Sequence, residues 1–396
     1  MQIEEKGNYR IGLFHLGFRP FFLLGSTFAV IAVALWLWIL SFGGWLAISE
    51  LSVFQWHAHE MLYGYTLAVI AGFLLTAVRN WTGQKTISGV PLLLLASCWL
   101  LARVMPLIEH PESMLIMAGF DLLFNLVFCI AILLPIIKVR QWKHLAIWSK
   151  VAFLLVGNVL FYLGLFNILE DGVRLGNYMA LYIILSLMML MGRRVIPFFI
   201  EKGIGAEVVL VNYRWLDLSS LFLMLAFIIV EVFIVVPLWA TVIAGLLALL
   251  HGIRLYGWYH VGIWKKPLLW SLYVGYAWIV VGFVLRTVSG FSEISPMLGI
   301  HAFTYGGIGL ITLGMMARIS LGHTGRDVFN PPKELQTIFF LIFAGSVVRV
   351  LLPLVFPNDY STLMLISQIL WLIAFVEFVF TYASMLIKPR IDGKFG

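Results

Sequence analysis

The hydrophobic residues of this 396-residue chain form twelve long stretches, separated by short segments that carry most of the charged residues. Each stretch is long enough to cross a bilayer as an α-helix, which takes about 20 predominantly apolar residues. The pattern therefore predicts an all-α polytopic membrane protein of about twelve transmembrane helices. The predicted helices are Pro20–Phe42, Glu60–Val78, Val90–Leu107, Ser113–Val139, Ile147–Leu169, Asn177–Ile200, Trp215–Val236, Pro237–Trp258, Pro267–Ser289, Met297–Ala317, Leu335–Phe356 and Ser361–Ile387.

Composition leads to the same class of protein. Hydrophobic residues make up 62% of the chain and charged residues 11%, which excludes an ordinary soluble globular protein. No linker or low-complexity stretch interrupts the pattern, so residues 1–396 are expected to form a single integral membrane domain. The net charge of +7 does not indicate nucleic acid binding, because basic residues beside membrane spans report orientation.

The basic residues are distributed unevenly between the two sides of the predicted membrane. An even number of spans puts both termini on one side, and 22 of the 26 lysines and arginines fall there. The four on the other side are Arg103, Arg174, Arg286 and Arg349. By the positive-inside rule we predict that both termini are cytoplasmic.

Two histidines and a carboxylate stand at the start of the second predicted span: His57, His59 and Glu60. The pattern recurs 242 residues later. His59 matches His301, and the segments that begin with these two residues share six identities in 25 ungapped positions. Ionisable groups at such a place suggest a functional site. The alternative is a pair of amphipathic helix ends with histidines at the water boundary.

The repeat extends along the chain. The pattern Gly, two bulky apolar residues, His, aliphatic, Gly occurs around His15 before the first span and around His260 before the ninth. Arg103 near the end of the third span matches Arg349 near the end of the eleventh. Spans one to four therefore resemble spans nine to twelve, and three four-helix arcs are the simplest arrangement of all twelve.

Neutral imidazole is a good ligand for iron and copper. His59 and His301 are related by the repeat and lie at the same predicted side, so we predict that they ligate a haem. His57 is about 200° from His59 around a helix, so both cannot face one metal from a regular helix. It is expected in the preceding loop, paired with Glu60 or Met61, or at a second metal.

A buried haem needs partners for its propionates. Arg103, Arg286 and Arg349 sit near span ends on the predicted outer side and are candidates. The alternative is that they cap helix carbonyls or pair with carboxylates, for which the sequence offers Glu109, Glu293 and Asp359.

A second group of histidines falls on the predicted inner side: His15, His260 and His323, with Arg19 and Arg326. Three imidazoles there suit a second haem or a copper ion. The alternative is a set of polar loops that contact lipid phosphates.

Twelve spans in three arcs, with histidines on spans two and ten, resemble the central subunit of haem–copper oxidases. In that architecture these two helices ligate the low-spin haem. Neither Asn177–Ile200 nor Trp215–Val236 contains a histidine, so an oxidase-type copper centre is not expected on those spans.

A closer resemblance covers nearly the whole chain. Its motifs are His15-Leu-Gly-Phe-Arg-Pro-Phe-Phe22, Trp56-His-Ala-His-Glu-Met61, Asn80-Trp-Thr-Gly83, Gly192-Arg-Arg-Val-Ile-Pro-Phe198, Leu269-Trp270, Gly275-Tyr-Ala-Trp278 and Gly322-His-Thr-Gly-Arg326. Together they resemble the NnrS family. The resemblance implies a bacterial inner-membrane protein of the nitric oxide response that contains haem and copper. Tyr273 stands where a histidine is expected in that family.

The function that follows is a haem protein, with haem of the b type, that binds nitric oxide or a related nitrogen oxide. Whether it also converts that ligand, as a haem-dependent oxidoreductase, stays open, as do the electron donor and the oligomeric state. The alternatives are a twelve-span transporter and a structural assembly factor. A transporter should show a midplane polar site or broken helices. The few buried ionisable residues, mainly Asp121, Glu231 and Glu377, favour the cofactor protein.

Overall fold

The computed structural model of the chain describes residues 11–44, 51–205 and 208–396. Within these ranges the secondary structure is entirely helical, and twelve helices are long and apolar enough to cross a membrane. They are α1 (Phe18–Phe42), α2 (Val53–Thr82), α3 (Val90–Leu107), α4 (Ser113–Lys138), α5 (Trp142–Leu165), α6 (Gly172–Ile204), α7 (Arg214–Ile234), α8 (Pro237–Gly257), α9 (Pro267–Ser289), α10 (Pro296–His323), α11 (Glu334–Val355) and α12 (Pro357–Ile387). The predicted fold class is confirmed.

The largest differences from the predicted boundaries are in α2 and α10. Helix α2 begins at Val53, seven residues before the predicted start at Glu60, because Ser52 and Gln55 form a capping box at its N-terminus. His57 and His59 therefore lie inside a helix, and the predicted loop position of His57 is wrong. Helix α10 runs on to His323.

The junction of α7 and α8 is as short as the sequence suggests. Val235 takes a left-handed conformation with φ of 56°, and Pro237 opens the next helix at its first position. Proline suits this position because its fixed φ is helical and its missing N–H would have no helical partner.

Two π-helical segments stand at equivalent places of the repeat. Glu60–Thr66 follows His59 directly in α2, and Ala302–Ile308 follows His301 directly in α10. Two further π-helical segments are Ile229–Ile234 in α7 and Val347–Leu351 in α11. The two copies of the repeat therefore match in backbone geometry as well as in sequence. π-Helical segments are rare in proteins, and those that occur are often found at functional sites.

The chain divides into two compact units. Unit 1 comprises residues 1–180, 316–332 and 375–396, and so holds α1–α5, the start of α6 and the ends of α10 and α12. Glycines bring α5 and α6 close together: a Cβ at Gly164 or Gly176 would meet main-chain atoms of the other helix. Small residues of this kind are how membrane helices approach closely.

Unit 2 comprises residues 181–315 and 333–374. Here α9 and α10 pack closely, because Gly282 of α9 receives the ring of Phe303 and Gly306 of α10 receives the ring of Trp278. The hydroxyl of Tyr305 lies against Gly345 of α11. Each of these glycines leaves room for an aromatic side chain from a neighbouring helix.

Candidate functional site

A cluster of buried polar side chains lies in unit 1, near the start of α2. We name it the charge cluster. Its members come from four consecutive helices: His59 and Glu60 of α2, Arg103 of α3, Asp121 of α4, and Asn158 and Tyr162 of α5. All six are buried, which is unusual for so many ionisable groups in one place.

Arg103 is the fixed positive charge of the charge cluster. Its Nη1 donates to Oε2 of Glu60 at 2.7 Å, and its Nη2 lies 2.6 Å from Oδ1 of Asp121. Both contacts are ion pairs between side chains that are at most 1% exposed. One guanidinium is therefore shared by two carboxylates.

His59 is fully buried and has a neighbour at each ring nitrogen. Nδ1 lies 3.1 Å from Oε1 of Glu60. Nε2 lies 3.1 Å from Oδ1 of Asn158 and 3.5 Å from Oδ2 of Asp121. The ring also stacks on Phe161, with centroids 4.1 Å apart. Both ring nitrogens of the imidazole thus contact protein groups.

His57 does not share these surroundings. Its ring stacks on Trp36 of α1, with centroids 4.2 Å apart and planes at 15°. Glu60 contacts His59 and Arg103, and the carbonyl of Met61 accepts from the hydroxyl of Thr66. The two histidines of the Trp56-His-Ala-His-Glu motif thus face different partners.

His301 of α10 has a simpler environment in unit 2. Its Nδ1 lies 2.8 Å from the carbonyl of Met297, one helical turn earlier, and its Nε2 lies 3.2 Å from Nη2 of Arg349 in α11. A carbonyl only accepts and a guanidinium only donates, so Nδ1 carries the hydrogen and Nε2 offers its lone pair. Arg349 also donates to the hydroxyl of Tyr360 at 2.9 Å.

Arg286 of α9 forms the third polar cluster, also in unit 2. Its Nε and Nη2 donate to the two carboxylate oxygens of Glu231 in α7, at 2.9 and 2.7 Å. Its Nη1 donates to Thr241 of α8, and Tyr182 of α6 donates to Glu231. This bidentate geometry is the strong form of an arginine–carboxylate pair.

The carboxylates that the sequence offered for the three arginines are not their partners. Glu109, Glu293 and Asp359 are all exposed. The arginines contact residues of other helices instead: Glu60, Asp121, Glu231 and Tyr360. Arg103 and Arg286 therefore do pair with carboxylates, but with Glu60, Asp121 and Glu231 and not with the acids that the sequence offered.

The three polar clusters follow one another at intervals of four helices. The charge cluster is built from α2–α5, the group around Arg286 and Glu231 from α6–α9, and the group of His301, Arg349 and Tyr360 from α10–α12. The arrangement of the twelve helices in three four-helix arcs stays a prediction.

The predicted inner-side histidines divide between the units. In unit 1, His15 stacks on Phe395 at 4.8 Å, and the ring of His323 lies 5.6 Å from that of Phe18. In unit 2, Nδ1 of His260 accepts from the N–H of Gly262. Burial and the charge of Arg19 lower the pKa of His15, which favours its neutral form.

In residues 11–44, 51–205 and 208–396, no three His, Cys, Asp or Glu side chains are arranged so that they could hold a metal ion. A copper site on His15, His260 and His323 therefore stays a prediction without a preformed ligand set.

Arg19 has a role that the sequence did not indicate. Its guanidinium is fully buried and donates to the carbonyls of Met385, Leu386 and Lys388, and to that of Gly396. The first three lie at the C-terminal end of α12, where helix carbonyls lack intrahelical partners. Arg19 thus caps α12 and fixes the segment that follows it.

Comparison with known families decides the identity of the chain. The model of the family described as "NnrS protein" matches residues 12–390. The chain belongs to the NnrS family. No curated protein matches it. NnrS-family membership makes the chain a membrane protein of the nitric oxide response, as its motifs indicated.

The two histidines predicted to ligate haem in this NnrS-family protein differ in how well they fit an iron atom. Metal-bound histidine normally donates its second ring N–H to a carbonyl or carboxylate and uses the lone pair of the other nitrogen. His301 has this arrangement, with Met297 as the acceptor. His59 does not, because Glu60 and Asn158 take both of its nitrogens.

Sequence reasoning missed Asn158 and Tyr162 and did not connect Asp121 to His59. One signal was available: Asp121 is a carboxylate inside a predicted span, and such a group needs a buried partner. Its partners are 18, 37 and 41 residues away in sequence, at Arg103, Asn158 and Tyr162. Only the packing of α3, α4 and α5 brings them together.

Proposed function

We propose that this NnrS-family protein binds a haem through His301, and that nitric oxide or a related nitrogen oxide is the ligand of that haem. The observation that carries the proposal is the tautomer of His301. Its Nδ1–H is held by the carbonyl of Met297, so a metal would take the Nε2 lone pair, which now accepts from Arg349. A haem at this position would supply an iron that takes a diatomic gas.

Arg349 is the residue best suited to a haem propionate. Its guanidinium reaches Nε2 of His301 at 3.2 Å and has a tyrosine hydroxyl, not a carboxylate, as its other partner. Arg103 and Arg286 are less suited, because each already pairs with a buried carboxylate. A propionate would have to displace those partners.

The participation of His59 as a second ligand stays a sequence prediction. Conversion of nitric oxide, in addition to its binding, is also part of the proposal. A measurement of turnover tests it. Copper has weaker support than haem, since no three His, Cys, Asp or Glu side chains in the described part of the chain are arranged to hold a metal ion.

The test is the visible absorption spectrum and haem content of the protein purified in detergent. We expect His301→Gln to lose bound haem, and the exposed His110→Gln to keep it as a matched control. Addition of nitric oxide to the reduced wild type should shift its haem bands. Purified wild type without haem, or His301→Gln with the wild-type spectrum and haem content, would refute the proposal.

The twelve-span transporter is the second candidate, because the charge cluster is a buried ionic site between membrane helices. Ionisable groups in such positions are common in transporters. Haem analysis separates the two: a stable, haem-free wild type that binds a solute would favour the transporter.

For localisation we propose the bacterial inner membrane, with both termini in the cytoplasm. The support is the 22-to-4 distribution of basic residues; residues 1–10 lie outside the described ranges. A C-terminal fluorescent fusion should be bright and the corresponding alkaline phosphatase fusion inactive. The reverse result would invert the topology.

A further inference from the structure

The hydrogen bonds of the charge cluster fix which of its groups donate. Asn158 donates from Nδ2 to Oδ2 of Asp121 at 2.9 Å, and this leaves its Oδ1 facing Nε2 of His59 at 3.1 Å. Turning the amide over would set its oxygen against the carboxylate of Asp121. An amide oxygen only accepts, so Nε2 of His59 must carry a hydrogen.

The second ring nitrogen of His59 also faces an acceptor. Nδ1 lies 3.1 Å from Oε1 of Glu60, whose other oxygen accepts from Arg103 at 2.7 Å. Glu60 is thus the carboxylate partner of Arg103 in a buried ion pair. An ionised carboxylate only accepts, so Nδ1 carries a hydrogen as well.

Counting charges gives the same answer. Glu60 and Asp121 contribute two negative charges and Arg103 one positive charge. Tyr63, Asn158 and Tyr162, which complete the surroundings of His59, are neutral. With a neutral imidazole the cluster would hold a net negative charge at a site where the ionic side chains are at most 1% exposed, which is costly.

We propose that His59 is the second cation of the charge cluster: an imidazolium that donates from both ring nitrogens and, with Arg103, balances Glu60 and Asp121. In this role it has no lone pair for a metal. The proposal stands apart from haem binding at His301 and does not depend on it.

The comparison of the two repeat-related histidines supports this division. At the position of Glu60, the second copy of the repeat has Ala302. His301 therefore lacks the adjacent carboxylate, and its Nε2 faces the donor Arg349 where Nε2 of His59 faces an acceptor. Equivalent positions thus hold histidines of opposite hydrogen-bonding polarity.

The test removes the imidazolium and then removes one compensating charge. His59→Gln leaves the cluster with a net negative charge and should lower the Tm in detergent by about 5–10 °C. The double variant His59→Gln with Glu60→Gln is neutral again, and we expect it to recover at least half of that loss. The pair Asp121→Asn, with and without His59→Gln, gives an independent comparison if His59→Gln alone does not fold.

The outcomes distinguish this proposal from the haem proposal. Charge rescue is read from the Tm, which can be measured whether or not the protein holds haem. If the wild type holds haem, the His59→Gln, Glu60→Gln variant should keep the same haem content, and His301→Gln should not. Double variants no more stable than their single parents, or loss of haem in the neutral double variant, would overturn the assignment.

Discussion

Tyr63 and Tyr305 make the same contact in the two units of the structure. The hydroxyl of Tyr63 donates to the carbonyl of Gly176 at 2.9 Å, and that of Tyr305 donates to the carbonyl of Ser367 at 2.7 Å. Each tyrosine stands four residues after its histidine, inside a π-helical segment. The phenol hydroxyl thus ties each segment to a main-chain carbonyl outside it.

We expect Tyr63→Phe and Tyr305→Phe each to lower the free energy of unfolding by about 0.5–1.5 kcal/mol, because each loses one buried hydrogen bond while the helical carbonyl keeps its main-chain donor. Thermal unfolding in detergent measures the effect. Tyr256→Phe is the control, since Tyr256 is 85% exposed. Equal Tm values for all three variants would show that neither hydrogen bond stabilises the protein.

Arg286 and Glu231 provide a test of ion pairing against propionate binding. Each side chain is 14% exposed, so removal of one partner leaves a nearly buried charge. We expect Arg286→Gln to destabilise the protein by about 3–5 kcal/mol, and Arg286→Gln with Glu231→Gln to cost less. Haem content should stay at the wild-type level in the double variant.

The opposite pattern would assign a different role to Arg286. If the double variant keeps its stability but loses haem, the arginine serves the cofactor, as the sequence analysis allowed. Thermal unfolding and a haem assay on the same preparations distinguish the two.

The twelve spans could be predicted because hydrophobicity over about 20 residues is a local property of the sequence. Even the tight junction at Pro237 follows from a single residue with a fixed φ. The start of α2 could not be placed from hydrophobicity, because Ser52 and Gln55 set it through capping and both are polar. The same difficulty made a loop position one of the alternatives for His57.

The candidate site was only half predictable. His59, His301, Arg103 and Arg349 emerge from the repeat, which is visible in the sequence. Their partners do not: whether His59 meets Asp121 depends on how α2, α4 and α5 pack. The π-helical segments are also invisible in the pattern, although they alter which side chains of α2 face inward.

We expect the segment after α12 to respond to acid, because it contains an ion pair between Asp392 and Arg390. Arg390 donates from Nε and Nη2 to the carboxylate at 2.8 and 2.6 Å, and this holds the pKa of Asp392 well below its ordinary value of 3.8. Because the folded carboxyl binds a proton less readily than the unfolded one, the contact stabilises the segment above about pH 3.8. That contribution is lost as the pH falls below this value.

Pepsin cleavage of residues 388–396 in detergent measures this effect. We expect cleavage of the wild type to accelerate as the pH falls from 4 to 2, and Asp392→Asn to be cleaved fast already at pH 4. Asp359→Asn, at another exposed acid, is the control. Identical rates for wild type and Asp392→Asn at pH 4 would rule out the contact as the cause.

Arg19 should hold the same segment through geometry and not through charge alone. Its Nη1 donates to Leu386 and Lys388 at 2.9 and 2.7 Å, while its Nη2 reaches Gly396. A lysine keeps the charge but has a single ammonium, which cannot reproduce a planar fork that spans these carbonyls. We therefore expect Arg19→Lys to lower the free energy of unfolding by about 2–4 kcal/mol, nearly as much as Arg19→Met.

Arg214→Lys, at an exposed arginine, should have no effect. Thermal unfolding together with protease access to residues 388–396 measures both consequences, and a fully stable Arg19→Lys would show that charge alone suffices.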